Sequence, residues 1–492
     1  MDYKKLIGII IVIGLIYFFR PWFHGLVMYF YKNPTIIEVL LIWFVIYYIF
    51  NQPKKKKGKG IALEELAVDT FQSPRGILLA ALLIFLLIFA SLFSYYIVLL
   101  ELPHTLQYNK IQTLPESTTN LRLMPIDTAH RYARDSLQLS QYKLGTENIV
   151  NLNGSLSWTF PLVPDGALLQ FLLKNKGIII VDATVQEKNS RIIEKELAIG
   201  EKMQIFDNLY WNLFKKKYLV DVEDPYYIYH NDDIYTIVPA MGYDYKFYWG
   251  LVYTLPKFEG LYVVDSSGNI EFWTPGEAEQ SELLRGNRIF PEILSRLYVE
   301  SYAFKRGLIN YLFIHEDQIE IQDLKNYQQP FLLDTEDGLK WFISTEPYGE
   351  SHGVFKIFLI DARTGEIDLL ELSLEKTLTG PVKAADFVRK SNPKVDWTRF
   401  RFAEPLPFFK RDILYWKIVV LPIDAAGIAY QAFVNAQTNE VTELQSEEEI
   451  LAFVKGGLKD EEEHKEEKEE IIKQIKQKIV EIEELLKELE RK

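Results

Sequence analysis

Residues Gly349-Glu350-Ser351-His352-Gly353 spell G-x-S-x-G, the spacing that in some hydrolases holds a nucleophilic serine on a sharp turn. Such a serine needs a strand before it, a helix after it and a histidine base further along the chain. Trp341 to Ser344 suits a strand, but the residues after Gly353 read VFKIFLID, a β-branched and aromatic run that continues as strand. Downstream of Ser351 the only histidines are His352 beside it and His464 in a charged tail. The expectation is a loop between two strands, with Ser351 non-catalytic.

Two acidic clusters offer other chemistry. HEDQIEIQD groups His315, Glu316, Asp317, Glu320 and Asp323, and YHNDDIY groups His230, Asn231, Asp232 and Asp233. Oxygen donors of this kind hold hard cations, and His315, Glu316 and Asp317 are the candidate metal ligands, although neither cluster has EF-hand spacing. Paired carboxylates also serve glycoside hydrolysis, but sequence gives no separation between them. Solvated loops and strand edges are the structural alternative. No H-E-x-x-H, P-loop or G-x-G-x-x-G occurs, so no catalytic residue and no cofactor is expected. Residues 226 to 256 are rich in Tyr and Trp, which suits either a sugar- or peptide-binding face or simply strand. Asn153-Gly154-Ser155 is an N-glycosylation sequon.

The elements that would position these groups divide sharply. At 492 residues the chain is long enough for several domains. It has no cysteine, which removes disulfides, thiolate metal sites and a cysteine nucleophile, and this composition, rich in Glu, Lys, Ile and Tyr, suits a thermophile. A net charge of −13 argues against a nucleic-acid partner, which needs a clustered basic face.

Residues 1–102 read as a membrane anchor with three transmembrane helices: about 6–19 extended by the aromatic stretch 22–31, then 35–50, then 77–100. Lys4 and Lys5 precede the first span. Lys54, Lys55, Lys56 and Lys57, with Lys59 and Arg75, lie in the loop 51–76 between the second and third. The positive-inside rule then puts the N-terminus and the lysine-rich loop in the cytoplasm and everything after Leu102 outside. The chain is expected to be a multi-pass protein of the cell membrane, with the lipid bilayer as its first partner.

From His104 onward the pattern is α+β. Four strand ends look alike: IIIVDATVQ at Asp182, LYVVDSSGNIEFW at Asp265, IFLIDARTGEIDLL at Asp361 and AFVNAQTNEVTEL at Asn435. Asp or Asn bonds its own backbone there, and in the last three a short polar turn leads into a second strand. The intervals are 83 (265 − 182), 96 (361 − 265) and 74 (435 − 361), too irregular for a strict solenoid but suited to loosely related units. Helices are expected at PIDTAHRYARDSL, capped by Asp127 or Thr128, at PEILSRLYVESYAFKRGLINYLF, and in TGPVKAADFVRKSNPKV, beginning after Pro381 and stopping before Pro393. Helices packed on antiparallel sheets follow, divided into domains at 104–275, 276–375 and 376–456.

Residues 382 to 441 carry Ala384-Ala385 on a helix ending near a proline, a strand led by Trp416-Lys417-Ile418-Val419, and a closing strand Asn435-Ala-Gln-Thr-Asn-Glu-Val441. This segment resembles a PepSY module, whose usual close is Asp-Ala-x-Thr-Gly-Glu-Val. Asn435 and Asn439 replace its Asp and Gly. The hairpin at 360 to 367 matches that close better but lacks as clear an upstream helix. The resemblance covers about an eighth of the chain and implies a small extracytoplasmic binding or inhibitory module, with no catalytic residue carried over.

Residues 457–492 form a charged amphipathic helix in which Ile472, Ile475, Ile479, Ile482, Leu486 and Leu489 alternate at intervals of three and four. That is an a/d seam flanked by Glu and Lys, suited to a protein partner, to homo-oligomerisation or to folding back on its own domain. The sequence therefore points to a membrane-anchored extracytoplasmic binding or scaffold-type protein. The alternative is an extracytoplasmic carboxylate- or metal-dependent hydrolase.

Overall fold

The computed structural model describes residues 12–50, 74–323, 327–349, 353–373, 377–424 and 427–455. Lys54 to Lys57, Ser351 and the seam from Ile472 to Leu489 lie outside the described residues.

Three apolar helices open the described chain. α1, Val12–Lys32, is interrupted by a 3-10 turn at Arg20–Phe23 that contains Pro21. α2 is Pro34–Phe50 and α3 is Pro74–Thr105. By length and composition Val12–Lys32 and Ile77–Thr105 are long enough to cross a membrane, whereas α2 is shorter, at 17 residues. α2 and α3 pack together through Ile36, Val39 and Ala90, and the Trp43 indole donates to the Leu79 carbonyl.

The rest of the described chain builds four sheets. In the first unit α4, Ile126–Ser136, precedes β2 (Tyr142–Leu144), β3 (Asn148–Leu152), β4 (Ser155–Pro164), β5 (Asn175–Asp182) and β6 (Ser190–Leu197). The second has α5, Leu209–Lys216, then β7 (Asp221–Val222), β8 (Tyr226–His230), β9 (Asp233–Tyr248), β10 (Leu251–Val264) and β11 (Ile270–Trp273). The third has α6, Glu292–Tyr302, then β12 (Ile319–Ile321), β13 (Phe331–Thr335), β14 (Gly338–Pro347), β15 (Lys356–Asp361) and β16 (Ile367–Glu371). The fourth has α7, Pro381–Ser391, then β17 (Phe400–Lys410), β18 (Ile413–Pro422), β19 (Tyr430–Asn435) and β20 (Val441–Leu444), closed by α8, Glu447–Lys455.

These are variants of one plan. In units one to three, two short strands pair in succession with the same long strand, which then meanders through two more. In unit four the two short strands are fused into β17, and a bulge between Ala403 and Leu406 stands where the others break. The four Asx positions fall at the same place in each unit, between the last two strands. Asp182 accepts from the Thr184 amide, Asp265 from Asn269, Asp361 from Arg363 and Thr364, and Asn435 from Gln437 and Thr438. The sequence segment 104–275 thus holds two units. It also gives up β1, Tyr108–Ile111, which pairs in parallel with β16 of the third unit.

The sheets of units one and two share a core through Ile178, Ile180, Tyr226, Ile237 and Leu261. Those of units three and four share another, with Phe342, Leu359, Trp416 and Ile418 facing Ala384 and Val388 of α7. α6 covers the opposite face of the third sheet, where Leu99 and Leu102 of α3 join Leu294, Val299 and Phe358.

Candidate functional site

A cleft lies where α3 enters the third unit. It has a volume of about 730 Å³ and is walled by Tyr95, Tyr96 and Leu99 of α3, by Arg296 and Glu300 of α6, and by Tyr311, His315 and Tyr348. α6 ends at Tyr302, and a π-helical turn at Asn310–Ile314 brings Tyr311 back onto Phe304, ring centroids 3.8 Å apart. His315, held at positive φ just beyond that turn, stacks on Tyr348 at 4.0 Å, and its Nδ1 lies 2.7 Å from Gln318 Oε1. Arg296 bridges Glu300 at 2.7 Å and Asp323 at 2.9 Å and donates to the Gln329 carbonyl. One wall of the cleft is therefore aromatic and the other is a charged set already paired within itself. Such walls suit stacking and hydrogen bonding.

Of the candidate metal ligands, only His315 faces this cleft. Glu316 pairs with Arg306 at 2.5 Å, and Asp317 pairs with Lys356 at 2.6 Å. Among the described residues no group of three or more His, Asp or Glu is arranged to hold a metal ion. In the second acidic cluster, Asn231 and Asp232 form the two-residue turn between β8 and β9, both at positive φ, which accounts for their residue types without a ligand. Asn153 and Gly154 fill the equivalent turn between β3 and β4. On either side of Ser351, β14 and β15 pair antiparallel with each other, and no helix stands between Gly353 and β15.

A second, smaller cavity of about 250 Å³ lies where units one, three and four meet, lined by Arg122, Trp158, Arg288, Glu292, Tyr327 and Glu404 among others. Buried glutamates, Glu404 in its wall and Glu223 outside it, hold helices across unit boundaries. Pro125 and Pro291 occupy the N-cap positions of α4 and α6, and neither has a side chain that can accept a hydrogen bond. Glu404, at positive φ in the β17 bulge, accepts from the Ile126 amide at 2.7 Å. Glu223, next to β7, accepts from the Ile293 amide at 2.6 Å. Each glutamate thus supplies the missing cap from another unit. The expected local cap at α4 is absent: Asp127 instead pairs with Arg401 at 3.1 Å and accepts from the Tyr327 hydroxyl.

Burial pushes the Glu223 carboxyl up to about 7, against the pull of Arg288. It also depresses the Lys417 ammonium to about 7, partly offset by Glu404, and Lys417 Nζ has Gln431 Oε1 at 3.3 Å. Arg122 Nε lies 3.1 Å from Glu404 Oε2 but off the line of a hydrogen bond. The Arg122 and Arg288 guanidiniums lie over Trp158 and Trp341, at 5.3 and 5.4 Å from the ring centroids. No sequence motif marks Arg122, Glu223, Arg288, Glu404 or Lys417 as a site residue. A lone Lys in LYWKIVVLP and a lone Glu in FRFAEPLPFF are the signals that mark them as buried charge.

No family model matches this chain, and no curated protein matches it. Among solved structures, a Trypanosoma rangeli sialidase in complex with 2,3-difluorosialic acid aligns at 9% identity over 68% of this chain and 41% of that one. Its TM-score of 0.17 carries no argument about fold or activity, and this chain spans about two fifths of its length.

Proposed function

We propose that the chain is a membrane-anchored binding and assembly protein whose four α+β units stand outside the cell. Its N-terminus and lysine-rich loop are cytoplasmic, and α1, α2 and α3 cross the bilayer. The observation that carries this reading is how the helices join the outer units. α1 from Arg20 to Lys32, the start of α2 and the last turns of α3 all meet them. Arg20 donates to the Lys215 carbonyl at 2.8 Å, Lys32 pairs with Asp221 at 2.8 Å, and Thr35 and Glu38 bond the backbone of Val252, while Leu99 and Leu102 are built into the core of the third unit. An anchor seated in this way holds a binding surface at fixed height and orientation, whereas a flexible stalk would not.

Two further parts belong to the proposal. The PepSY-like segment 382 to 441, a helix on a four-stranded meander, serves as a binding or inhibitory module. The seam Ile472, Ile475, Ile479, Ile482, Leu486 and Leu489 recruits a partner helix or a second copy. Crosslinking and co-purification from native membranes, with and without residues 458–492, tests it. The intact chain is expected to recover a partner or a dimer that the truncated chain loses. Monomer in both preparations would remove the assembly function.

A further inference from the structure

Three exposed apolar projections, one from each of the first three units, surround the place where the helices meet the outer region. In unit one, Leu168, Phe171 and Leu172 stand out from the helical turn between β4 and β5, with Leu168 71% exposed. That turn is bonded through Gln170 to Gln204, and two residues on, Phe206 packs its ring 6.1 Å from Phe18 of α1. In unit two the β9–β10 hairpin reaches past Val252, the residue gripped by Thr35 and Glu38 of α2, and ends in Phe247, Tyr248 and Trp249. Tyr253, on the way to that tip, packs with Ile97 and Phe93 of α3. In unit three, Ile309, Phe313 and Ile314 surround the π-helical turn whose Tyr311 stacks on Phe304, itself 6.2 Å from Tyr96 of α3, and Phe313 is 77% exposed.

The hairpin tip supplies a second argument. Trp249 is 90% exposed and sits at φ 49, a left-handed conformation that costs a bulky side chain on the order of 1 kcal/mol. The β8–β9 and β17–β18 turns adopt the same two-residue form with Asn231-Asp232 and Arg411-Asp412. Turn chemistry therefore does not select tryptophan at 249, and neither does packing within the chain. A Trp and Tyr tip on a hairpin that packs through Tyr253 against Phe93 and Ile97 of α3 matches the preference of these rings for the boundary between headgroups and acyl chains.

We infer that these three projections bind the lipid surface directly and seat the outer units on the leaflet from which α1, α2 and α3 emerge. This rests on the reading of the helices as membrane spans. The occupant is the interfacial layer of the bilayer, reached by Leu168 and Phe171, by Phe247 and Trp249, and by Phe313 and Ile314.

Because the chain has no cysteine, single labels report without background. Leu168→Cys, Trp249→Cys and Phe313→Cys, with Phe85→Cys inside α3 and Thr364→Cys in the β15–β16 turn, are each spin-labelled in the full chain. They are reconstituted in phosphatidylcholine/phosphatidylglycerol liposomes, and collision with oxygen is compared with collision with a water-soluble nickel chelate. The expected result is severalfold protection from nickel at 168, 249 and 313 relative to 364, with 85 deeper still. If 85 is protected while the three projections collide with nickel as freely as 364, the seat is overturned and the anchor stands. A protein partner would then be what covers them. If 85 is itself open to nickel, the membrane anchor fails and the seat fails with it.

Discussion

Two buried residues, Lys417 and Glu223, titrate near neutrality, and their effects on stability run in opposite directions. Folding depresses Lys417 from 10.5 to about 7, so between those values the unfolded chain binds a proton that the folded chain does not. Stability therefore rises with pH across that window. Folding raises Glu223 from 4.5 to about 7, so there the folded chain holds the extra proton, and stability falls as pH rises through that range. Lys417→Met should flatten the alkaline rise. Glu223→Gln should flatten the acidic fall while keeping an acceptor for the Ile293 amide. Thermal unfolding of the purified chain across pH 4 to 10 checks both, and unchanged slopes in the two variants would refute the assignment. Ser351→Ala should change neither stability nor partner recovery, and a fluorophosphonate probe should leave Ser351 unlabelled. Labelling at that serine would restore the nucleophile that its strand-rich surroundings argue against.

Helix caps that cross unit boundaries are the feature of this fold hardest to read from sequence. Near α4 the polar residues Asp127 and Thr128 suggest a local cap, yet the helix starts at Ile126, and the acceptor comes from Glu404, 278 residues away. No local pattern encodes such a contact. The Asx turns at Asp182, Asp265, Asp361 and Asn435 were legible because their hydrogen bonds close within four residues. Sheet membership was not, since β1 finds its partner in β16 and the stretch 104–275 splits into two units only once strands pair. Of the candidate site, His315 is visible as a polar residue in an acidic cluster, but two of the four tyrosines beside it, Tyr95 and Tyr96, come from α3, far earlier in the chain. Glu404→Ala should cost about 3–5 kcal/mol, because it uncaps α4 and leaves Arg122 and Lys417 buried without their carboxylate. Hydrogen exchange should show α4 amides opening first. A loss under about 1 kcal/mol would mean that the cap is ornamental.

At the scale of the whole molecule, four variants of one helix-and-meander plan are locked by shared cores into two pairs, and the helix ends are fastened into units two and three. What the architecture offers is a surface of four packed units joined directly to α1, α2 and α3. The central claim is that this surface faces outward while the lysine-rich loop faces the cytoplasm. The most direct test places single cysteines in the otherwise cysteine-free chain, as Lys55→Cys and Thr364→Cys, and treats intact cells with a membrane-impermeant maleimide. Residue 364 is expected to be labelled at once and residue 55 only after permeabilisation; labelling of 55 with protection of 364 in intact cells would reverse the proposed orientation.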